Sequence, residues 1–138
     1  MKTVLNCRYL VIALFMLVIL PRCSHDVGVV QNVNPSDAAK LIKSNNNNPG
    51  FMIMDVRTPG EFASGHLQGA INLDLNNDAF ESKIGQLDKS KTYLVYCRSG
   101  HRSSKAVSMM KEKGFKSLKN LDGGISQWIE ENLPVVLN

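Results

Sequence analysis

The stretch TYLVYCRSGHRSS, residues 92 to 104, passes from a β-favouring run through a cysteine and a short loop into a helix start. Residues 92 to 96 predict a strand, and residues 103 to 113 predict a helix that Gly114 ends. A loop that closes from a strand onto a helix start points successive backbone N–H groups inward, where they bind anions. We therefore expect an anion-binding loop directly after this strand.

Segments typical of strands and of helices alternate along the rest of the chain. Further strands are predicted over residues 29 to 33, 51 to 56, 70 to 75 and 117 to 121. Helices are predicted between an N-cap at Asn34 and the polar loop at residues 45 to 50, and over residues 79 to 87 and 125 to 132. This alternation indicates βαβ units and a parallel sheet covered on both faces. Ligands bind at the carboxyl ends of such strands, and Cys97 follows one of these ends.

The size and composition of the chain exclude several classes of protein. With 138 residues, 43% of them hydrophobic and 20% charged, the chain has room for one globular domain. Its three cysteines, Cys7, Cys23 and Cys97, are too few and too scattered for a disulfide framework or a four-ligand zinc site. No CxxC motif, no HExxH motif and no glycine-rich nucleotide loop with a following lysine occurs in the sequence.

The positive charge of the chain is concentrated near its start. The formal net charge is +4, but Lys2, Arg8 and Arg22 supply three of the 16 basic residues. The other 13 basic residues face 12 acidic ones, which leaves a net charge of +1. So small a charge gives no electrostatic reason to expect nucleic-acid binding.

The first 23 residues have the layout of an export signal. A basic start is followed by twelve apolar residues, 9 to 20, whose helix would be about 18 Å long against a hydrocarbon core of about 30 Å. We expect residues 1 to 23 to be a signal and residues 24 to 138 to be the folded domain. A buried core helix fits less well, because the run is apolar on every face.

The end of the signal admits more than one form of processing. Leu20-Pro21-Arg22-Cys23 partly resembles a lipoprotein box, in which Cys23 would carry the lipid, although Pro21 and Arg22 stand where small residues are usual. An uncleaved anchor is the alternative. The sequence therefore predicts a protein exported to the periplasm or cell envelope. Whether it is attached to the membrane depends on whether this segment is retained or Cys23 is lipidated, which the sequence leaves open.

The residues around Cys97 favour its thiolate. Gly100 supplies a permissive backbone, Ser103 is placed to cap the following helix, and Arg98 and Arg102 bring positive charge. These features predict a pKa below the free value of about 8.5. A lone cysteine after an apolar strand is otherwise a small core residue, but such a residue needs neither arginines nor a helix start. The loop thus predicts a thiolate nucleophile for an anionic substrate.

Three separate motifs resemble one family. Cys-Arg-Ser-Gly-His-Arg-Ser at residues 97 to 103 resembles the active-site loop of single-domain rhodaneses. The stretch DVRTPGEFASGHLQGAIN, residues 55 to 72, is similar to the upstream motif of that family. LDGGISQW, residues 121 to 128, is similar to its Leu-x-Gly-Gly-x-x-x-Trp ending. The resemblance covers about residues 29 to 135 in the order and spacing of the family.

The resemblance implies an α/β protein with a three-layer α/β/α fold and a five-stranded parallel sheet. It also implies a sulfurtransferase in which Cys97 takes a sulfane sulfur from a donor such as thiosulfate and passes it to cyanide or a thiol, without a metal or an organic cofactor. The backbone N–H groups of residues 98 to 102 would hold the terminal sulfur, and the guanidinium groups of Arg98 and Arg102 would attract the donor. The predicted substrate-binding residues are Arg98, Ser99, Gly100, His101 and Arg102, of which His101 either lines the mouth of the site or only decorates the loop.

Residues of the upstream motif are expected to support the site rather than to react. Asp55 is expected to accept hydrogen bonds from loop amides, and Arg57 and Glu61, four residues apart, are expected to form an ion pair. His66 is interpreted as a structural histidine and Trp128 as a residue that fills the core or covers the sheet.

Three other functions share this loop design. Cysteine-based phosphatases use a Cys-x5-Arg loop, whereas Cys97 and Arg102 form a shorter Cys-x4-Arg loop that suits a single sulfur atom. Tyr96 also stands where tyrosine phosphatases carry a histidine. Rhodanese-like domains that only bind partners typically lack the cysteine, which is present here. A redox-sensing thiolate needs the same lowered pKa, so the sequence does not separate sensing from sulfur transfer.

Overall fold

A sheet of five parallel strands forms the centre of the computed structural model, which describes residues 28–137. The strands are β1 (Val29–Val33), β2 (Phe51–Asp55), β3 (Ala70–Asn72), β4 (Thr92–Tyr96) and β5 (Ser117–Leu121). The helices are α1 (Pro35–Ser44), α2 (Pro59–Ala63), α3 (Phe80–Gly85), α4 (His101–Glu112) and α5 (Gly124–Glu130). The export signal predicted for residues 1 to 23 lies outside the described residues. Within the described range, no helix has the length and apolar character that crossing a membrane requires.

The strand order is β1-β5-β4-β2-β3, so β4 lies in the middle of the sheet. Asp55 at the end of β2 is in register with Tyr96 at the end of β4. Because the strands are parallel, the residues that follow β2 and β4 emerge side by side at the same edge of the sheet. This edge carries the upstream motif and the cysteine loop together.

Helices cover both faces of the sheet. Val95 of β4 belongs to a buried apolar cluster with Ile84 of α3 and Met110 of α4. Its neighbour Tyr96 belongs to a second buried cluster, on the opposite face, with Trp128 of α5 and with residues of α1. Successive strand residues point to opposite faces, so both faces of β4 are apolar. The predicted three-layer α/β/α fold with a five-stranded parallel sheet is confirmed.

Several helix and strand boundaries lie where the local sequence signals predict them. The Asn34 side chain accepts a hydrogen bond of 2.8 Å from the Asp37 backbone N–H, which caps α1. The ranges of β1, β4 and β5 are those expected. The third strand is shorter than expected and ends at Asn72 rather than at residue 75. Since β2 ends at Asp55, the chain beyond Asn72 no longer has a strand beside it.

The helix α2 was not expected from the sequence. The Thr58 side chain accepts a hydrogen bond from the Glu61 backbone N–H, and the Glu61 carboxylate accepts one from the Thr58 N–H, so the two residues form a capping box. Pro59 occupies the first helical position, where its missing N–H costs nothing. The pattern Thr-x-x-Glu with a proline after the threonine is the signal that predicts this short helix.

Candidate active site

Cys97 lies directly after β4, at the edge of the sheet where the strands end. Its residue is 1% exposed, and it belongs to the apolar cluster beneath α3 and α4. Two donors approach its sulfur: the Gly100 backbone N–H, with N 3.1 Å from Sγ, and the Ser103 hydroxyl, with Oγ 3.5 Å from Sγ. The loop thus folds back over the sulfur that it carries.

Gly100 makes this return possible. Its φ of +94° lies in the left-handed region, which side chains other than glycine rarely adopt, and Gly100 is the N-cap of α4. The expectation that Ser103 caps this helix is wrong, because α4 begins two residues earlier, at His101. Ser103 is the third helical residue, and its hydroxyl lies 3.1 Å from the Gly100 carbonyl oxygen as well as near the cysteine sulfur.

The Cys97 thiol has a lowered pKa. Burial raises the pKa of this thiol, but hydrogen bonds from the Ser103 side chain and from the backbone N–H groups of Ser103, Ser99 and Gly100 outweigh burial. The direction agrees with the sequence prediction; hydrogen bonds are the largest causes that lower this pKa, and the Cys97 sulfur also interacts with the charge of Arg102. A hydrogen bond to a charged acceptor is stronger than one to a neutral acceptor, so these donors favour the thiolate.

Arg102 is bound to Glu61. Its Nη1 and Nη2 atoms donate to the two carboxylate oxygens at 2.8 and 2.7 Å, a bidentate pair that joins α4 to α2. The predicted ion pair between Arg57 and Glu61 is therefore wrong. The spacing of four residues brings side chains together within one helix, but Arg57 precedes the N-cap of α2 and its side chain points back along β2.

Glu61 is held from two directions. Besides Arg102, it accepts hydrogen bonds from the Thr58 backbone N–H at 3.1 Å and from the Thr58 hydroxyl at 2.9 Å. The hydrogen bond from Arg102 is the largest cause that lowers the pKa of Glu61, to about 2, against the opposing effect of burial. Glu61 therefore stays ionised throughout the physiological pH range. Sequence reasoning assigned it no part at the cysteine loop.

Asp55 and Arg57 form a buried ion pair behind the site. Arg57 Nε and Nη2 donate to Asp55 Oδ2 at 2.9 and 2.6 Å, and the Arg57 backbone N–H donates to Asp55 Oδ1 at 2.9 Å. Arg57 Nη2 also donates to the Gly65 carbonyl at 2.7 Å. Burial lowers the pKa of Arg57, but the Asp55 carboxylate raises it more. The pair ties both ends of the segment that carries Glu61, and a supporting role for Asp55 and Arg57 stays a prediction.

The start of α5 packs against the back of the cysteine loop. The Ile125 and Ser126 backbone N–H groups donate to the Cys97 and Arg98 carbonyls at 2.9 and 3.0 Å. A Cβ atom on Gly124 would lie 2.5 Å from both carbonyl oxygens, so only glycine fits there. The signal for this glycine in the sequence is the Gly-Gly pair of the third family-like motif, residues 121 to 128.

The other predicted residues of the loop have no hydrogen bond from their side chains to the Cys97 sulfur. Arg98, Ser99 and His101 are exposed, and His101 is the first residue of α4. The structural interpretation of His66 agrees with its buried position, where Nδ1 lies 3.0 Å from the Phe62 carbonyl and the ring stacks on Phe62. Over residues 28–137, no group of three histidine, cysteine or acidic residues is arranged to hold a metal.

Comparison with known proteins gives consistent matches. A family model described as a rhodanese-like domain matches residues 34–131. A sulfurtransferase from Allochromatium vinosum is 31% identical over 104 residues, which cover 75% of this chain and 95% of that protein. The thiosulfate sulfurtransferase GlpE of Shewanella oneidensis is 40% identical over 80 residues, 58% of this chain and 77% of its own. The crystal structure of a rhodanese-related protein from Thermoplasma volcanium superposes with a TM-score of 0.67 at 32% identity, covering 78% of this chain and 99% of that one.

Proposed function

The chain belongs to the rhodanese-like family, and from that premise we propose that it moves a sulfane sulfur from a small anionic donor to a thiophilic acceptor through a persulfide on Cys97. The observation that carries the proposal is the pair of donors, the Gly100 N–H and the Ser103 hydroxyl, directed at Sγ. Hydrogen-bond donors around a buried sulfur favour an anionic sulfur over a neutral one. The Cys97 sulfur must likewise be anionic before it attacks the donor, because the thiolate is the nucleophile.

In the first half of the reaction, the Cys97 thiolate attacks the outer sulfur of the donor. With thiosulfate, a bond forms between Sγ and the sulfane sulfur, the bond from that sulfur to the sulfonate sulfur breaks, and its electron pair leaves with sulfite. The product is the Cys97 persulfide anion, whose outer sulfur extends about 2 Å beyond Sγ. The N–H groups of residues 98 to 102 are proposed to hold it.

In the second half, an acceptor takes the outer sulfur. Cyanide attacks this sulfur, a carbon–sulfur bond forms, the sulfur–sulfur bond breaks, and its electron pair returns to Cys97 as the thiolate. The product is thiocyanate, and no proton or external electron is required. A thiolate acceptor reacts in the same way and becomes a persulfide. The buried position of Cys97 favours a donor and an acceptor that are narrow at the reacting atom.

The direct test is the mass of the intact protein after incubation with thiosulfate and removal of small molecules. The expected result is a gain of one sulfur atom that disappears on addition of cyanide. The Cys97→Ser variant should gain nothing, and the Cys23→Ser variant serves as the matched control and should behave like the wild type. A gain in oxygen alone would support a redox-sensing thiolate and contradict sulfur transfer.

Steady-state assays add a second criterion. Thiocyanate formation from thiosulfate and cyanide should vanish in Cys97→Ala and fall strongly in Arg102→Ala, because the latter leaves the Glu61 carboxylate unpaired beside the loop. Thiocyanate formation that survives in Cys97→Ala would refute the mechanism. Release of phosphate from an aryl phosphate, with no thiocyanate, would favour the phosphatase alternative. A protein that binds partners but forms neither product would be a non-catalytic module.

For the location, we propose that residues 1 to 23 direct export to the periplasm or cell envelope. The support is the basic start followed by the apolar run at residues 9 to 20. Fractionation of cells that express the full chain should recover it outside the cytoplasm. A labelled fatty acid on the wild type but not on Cys23→Ser would identify a lipid anchor, and a purely cytoplasmic, full-length product would contradict the proposal.

A further inference from the structure

The helix α2 carries Glu61 to the cysteine loop, although little of its own surface is buried. All five of its residues are exposed or half-buried. At its start, α2 is held through the Arg57 side chain, which bonds to Asp55 and to the Gly65 carbonyl at 2.7 Å. A helix this short, with so little buried surface, is not stable by itself. The position of Glu61 beside Arg102 therefore depends on contacts from outside α2.

Residues 133 to 137, here called segment 133–137, supply such a contact at the other end of α2. The Val136 N–H donates to the His66 carbonyl at 2.9 Å, and the His66 N–H donates to the Val136 carbonyl at 3.0 Å, which forms an antiparallel bridge. The Leu137 side chain lies over Gly65, where a Cβ atom would be 3.7 Å from it. The segment thus closes the turn that follows α2.

His66 joins this bridge to α2. Its ring stacks on the Phe62 ring with the centroids 3.8 Å apart, and its Nδ1 lies 3.0 Å from the Phe62 carbonyl oxygen. His66 is only 6% exposed, so water competes little for these contacts. Because Phe62 is next to Glu61 in the chain, segment 133–137 is connected to the Glu61–Arg102 pair through one histidine.

The other end of segment 133–137 is fixed on α5. The Trp128 Nε1–H donates to the Pro134 carbonyl at 3.0 Å, and the Leu133 N–H donates to the Trp128 carbonyl at 3.1 Å. Trp128 is 4% exposed, and α5 itself begins against the cysteine loop. The segment thus connects two helices that both contact this loop, α5 directly and α2 through Glu61.

We propose that segment 133–137 positions α2 at the cysteine loop, with Val136 as the positioning residue that keeps Glu61 paired with Arg102. The proposal rests on the proposed function for the importance of this loop, but the contacts themselves involve no substrate. Without the bridge, α2 is held mainly from its start, and Glu61 leaves Arg102 for part of the time. The charge of Arg102 is then unmatched near the Cys97 sulfur.

An unmatched Arg102 favours the thiolate of Cys97. The hydrogen bonds that Arg102 donates to Glu61 raise the pKa of Arg102 most, burial opposes them, and attraction to the Cys97 sulfur raises it further. The same attraction acts on both partners, so release of Arg102 from Glu61 lowers the pKa of Cys97. General loosening of the fold has the opposite effect, because it removes the hydrogen-bond donors around the sulfur and raises this pKa.

The test is the pH dependence of the alkylation of Cys97 by iodoacetamide in the full chain, followed by the mass of the peptide that contains Cys97. Val136→Pro removes the N–H that donates to His66, whereas Val136→Ala keeps it. We expect the midpoint of the alkylation profile to move to lower pH in Val136→Pro. Below the midpoint, the rate relative to its plateau should rise about threefold. Val136→Ala should match the wild type.

Combined variants test the connection through Glu61. Glu61→Gln removes the negative charge, so it should shift the profile in the same direction, and Val136→Pro should add nothing in that background. Phe62→Leu removes the ring that stacks on His66, leaves the backbone of segment 133–137 intact, and should act like Val136→Pro. A shift by Val136→Pro that is undiminished in the Glu61→Gln background, or that Val136→Ala reproduces, would overturn the proposal.

The fluorescence of Trp128, the one tryptophan of the chain, reports the attachment of the segment to α5. Its emission should be the same in Val136→Pro as in the wild type, because the hydrogen bond to Pro134 remains. An alkylation profile of Val136→Pro that matches the wild type rejects the proposal, whatever the emission shows. The proposed function fails on a different result, the absence of sulfur transfer from thiosulfate to Cys97, and the alkylation profiles stay decisive in that case.

Discussion

Gly124 lies against the Cys97 carbonyl so closely that a Cβ atom at this glycine would be 2.5 Å from that oxygen. The contact joins the first residue of α5 to the cysteine loop, and the Ile125 N–H completes it with a hydrogen bond of 2.9 Å to the same carbonyl. A glycine outside the loop thus determines how the loop is seated on the sheet.

Gly124→Ala should destabilise the protein and disable the site. The new methyl group would collide with two backbone carbonyls, at a φ of +59° that alanine disfavours. We expect a loss of about 2 to 4 kcal/mol in the free energy of unfolding, measured in urea. Gly60→Ala in α2 is the matched control, because a Cβ there meets nothing within 4 Å. Equal stability of the two variants would show that the contact is not tight.

Ser103→Ala should raise the pKa of Cys97, because the Ser103 side chain is the largest of the hydrogen-bonding causes that lower it. Only the thiolate reacts with iodoacetamide, so the rate of alkylation rises with pH near the pKa of Cys97. In Ser103→Ala this rise should occur at a higher pH than in the wild type. At neutral pH, alkylation should become slower on the order of tenfold. Ser108→Ala, which removes an exposed hydroxyl of the same helix, should leave the profile unchanged.

Asp55→Asn should be strongly destabilising. The substitution leaves the Arg57 guanidinium buried without a matching charge, and breaking such a pair costs about 3 to 5 kcal/mol. Urea unfolding provides the measurement. Asp37→Asn breaks an exposed ion pair with Lys40 and should leave the urea midpoint nearly unchanged. A small effect of Asp55→Asn would mean that water or another group readily replaces the carboxylate.

The ion pair of Glu61 should contribute to acid unfolding. The pKa of Glu61 falls from 4.5 to about 2 on folding, so its stabilisation is complete above pH 4.5 and is lost as the pH falls toward 2. Urea midpoints measured from pH 6 to pH 2 should therefore decline less steeply in Glu61→Gln than in the wild type. Glu81→Gln should retain the steeper decline. Parallel curves for wild type and Glu61→Gln would show that the pair does not form in solution.

The sequence predicted most of the fold because the strand signals are local. The ranges of β1, β4 and β5 follow from runs of apolar and β-branched residues, and the start of α1 follows from Asn34 and Pro35. The start of α4 was misjudged, since Ser103 resembles an N-cap in the sequence while Gly100 takes that position. The left-handed backbone conformation of Gly100, which turns the chain back over the Cys97 sulfur, depends on the closed loop. No local pattern in the sequence indicates it unambiguously.

Side-chain pairing could not be derived from spacing in the same way. Arg57 and Glu61 have the spacing of a helical ion pair, yet each bonds to a different partner, Asp55 and Arg102. Arg102 lies 41 residues from Glu61 in the chain, and only the parallel arrangement of β2 and β4 brings their loops together. The exposed position of His101 at the start of α4 likewise follows from where that helix begins.

The sequence by itself determined the alternating strands and helices, from which the parallel sheet follows, and the cysteine that is the predicted nucleophile, since these signals lie in short stretches of the chain. The family resemblance rests on three such stretches in the order of the family. Only the tertiary structure decided which donors face the Cys97 sulfur, which carboxylate matches Arg102 and which glycine supports the loop from behind. The physical reason is that hydrogen bonds and ion pairs act over about 3 Å, a proximity that distant residues reach only after the sheet has assembled.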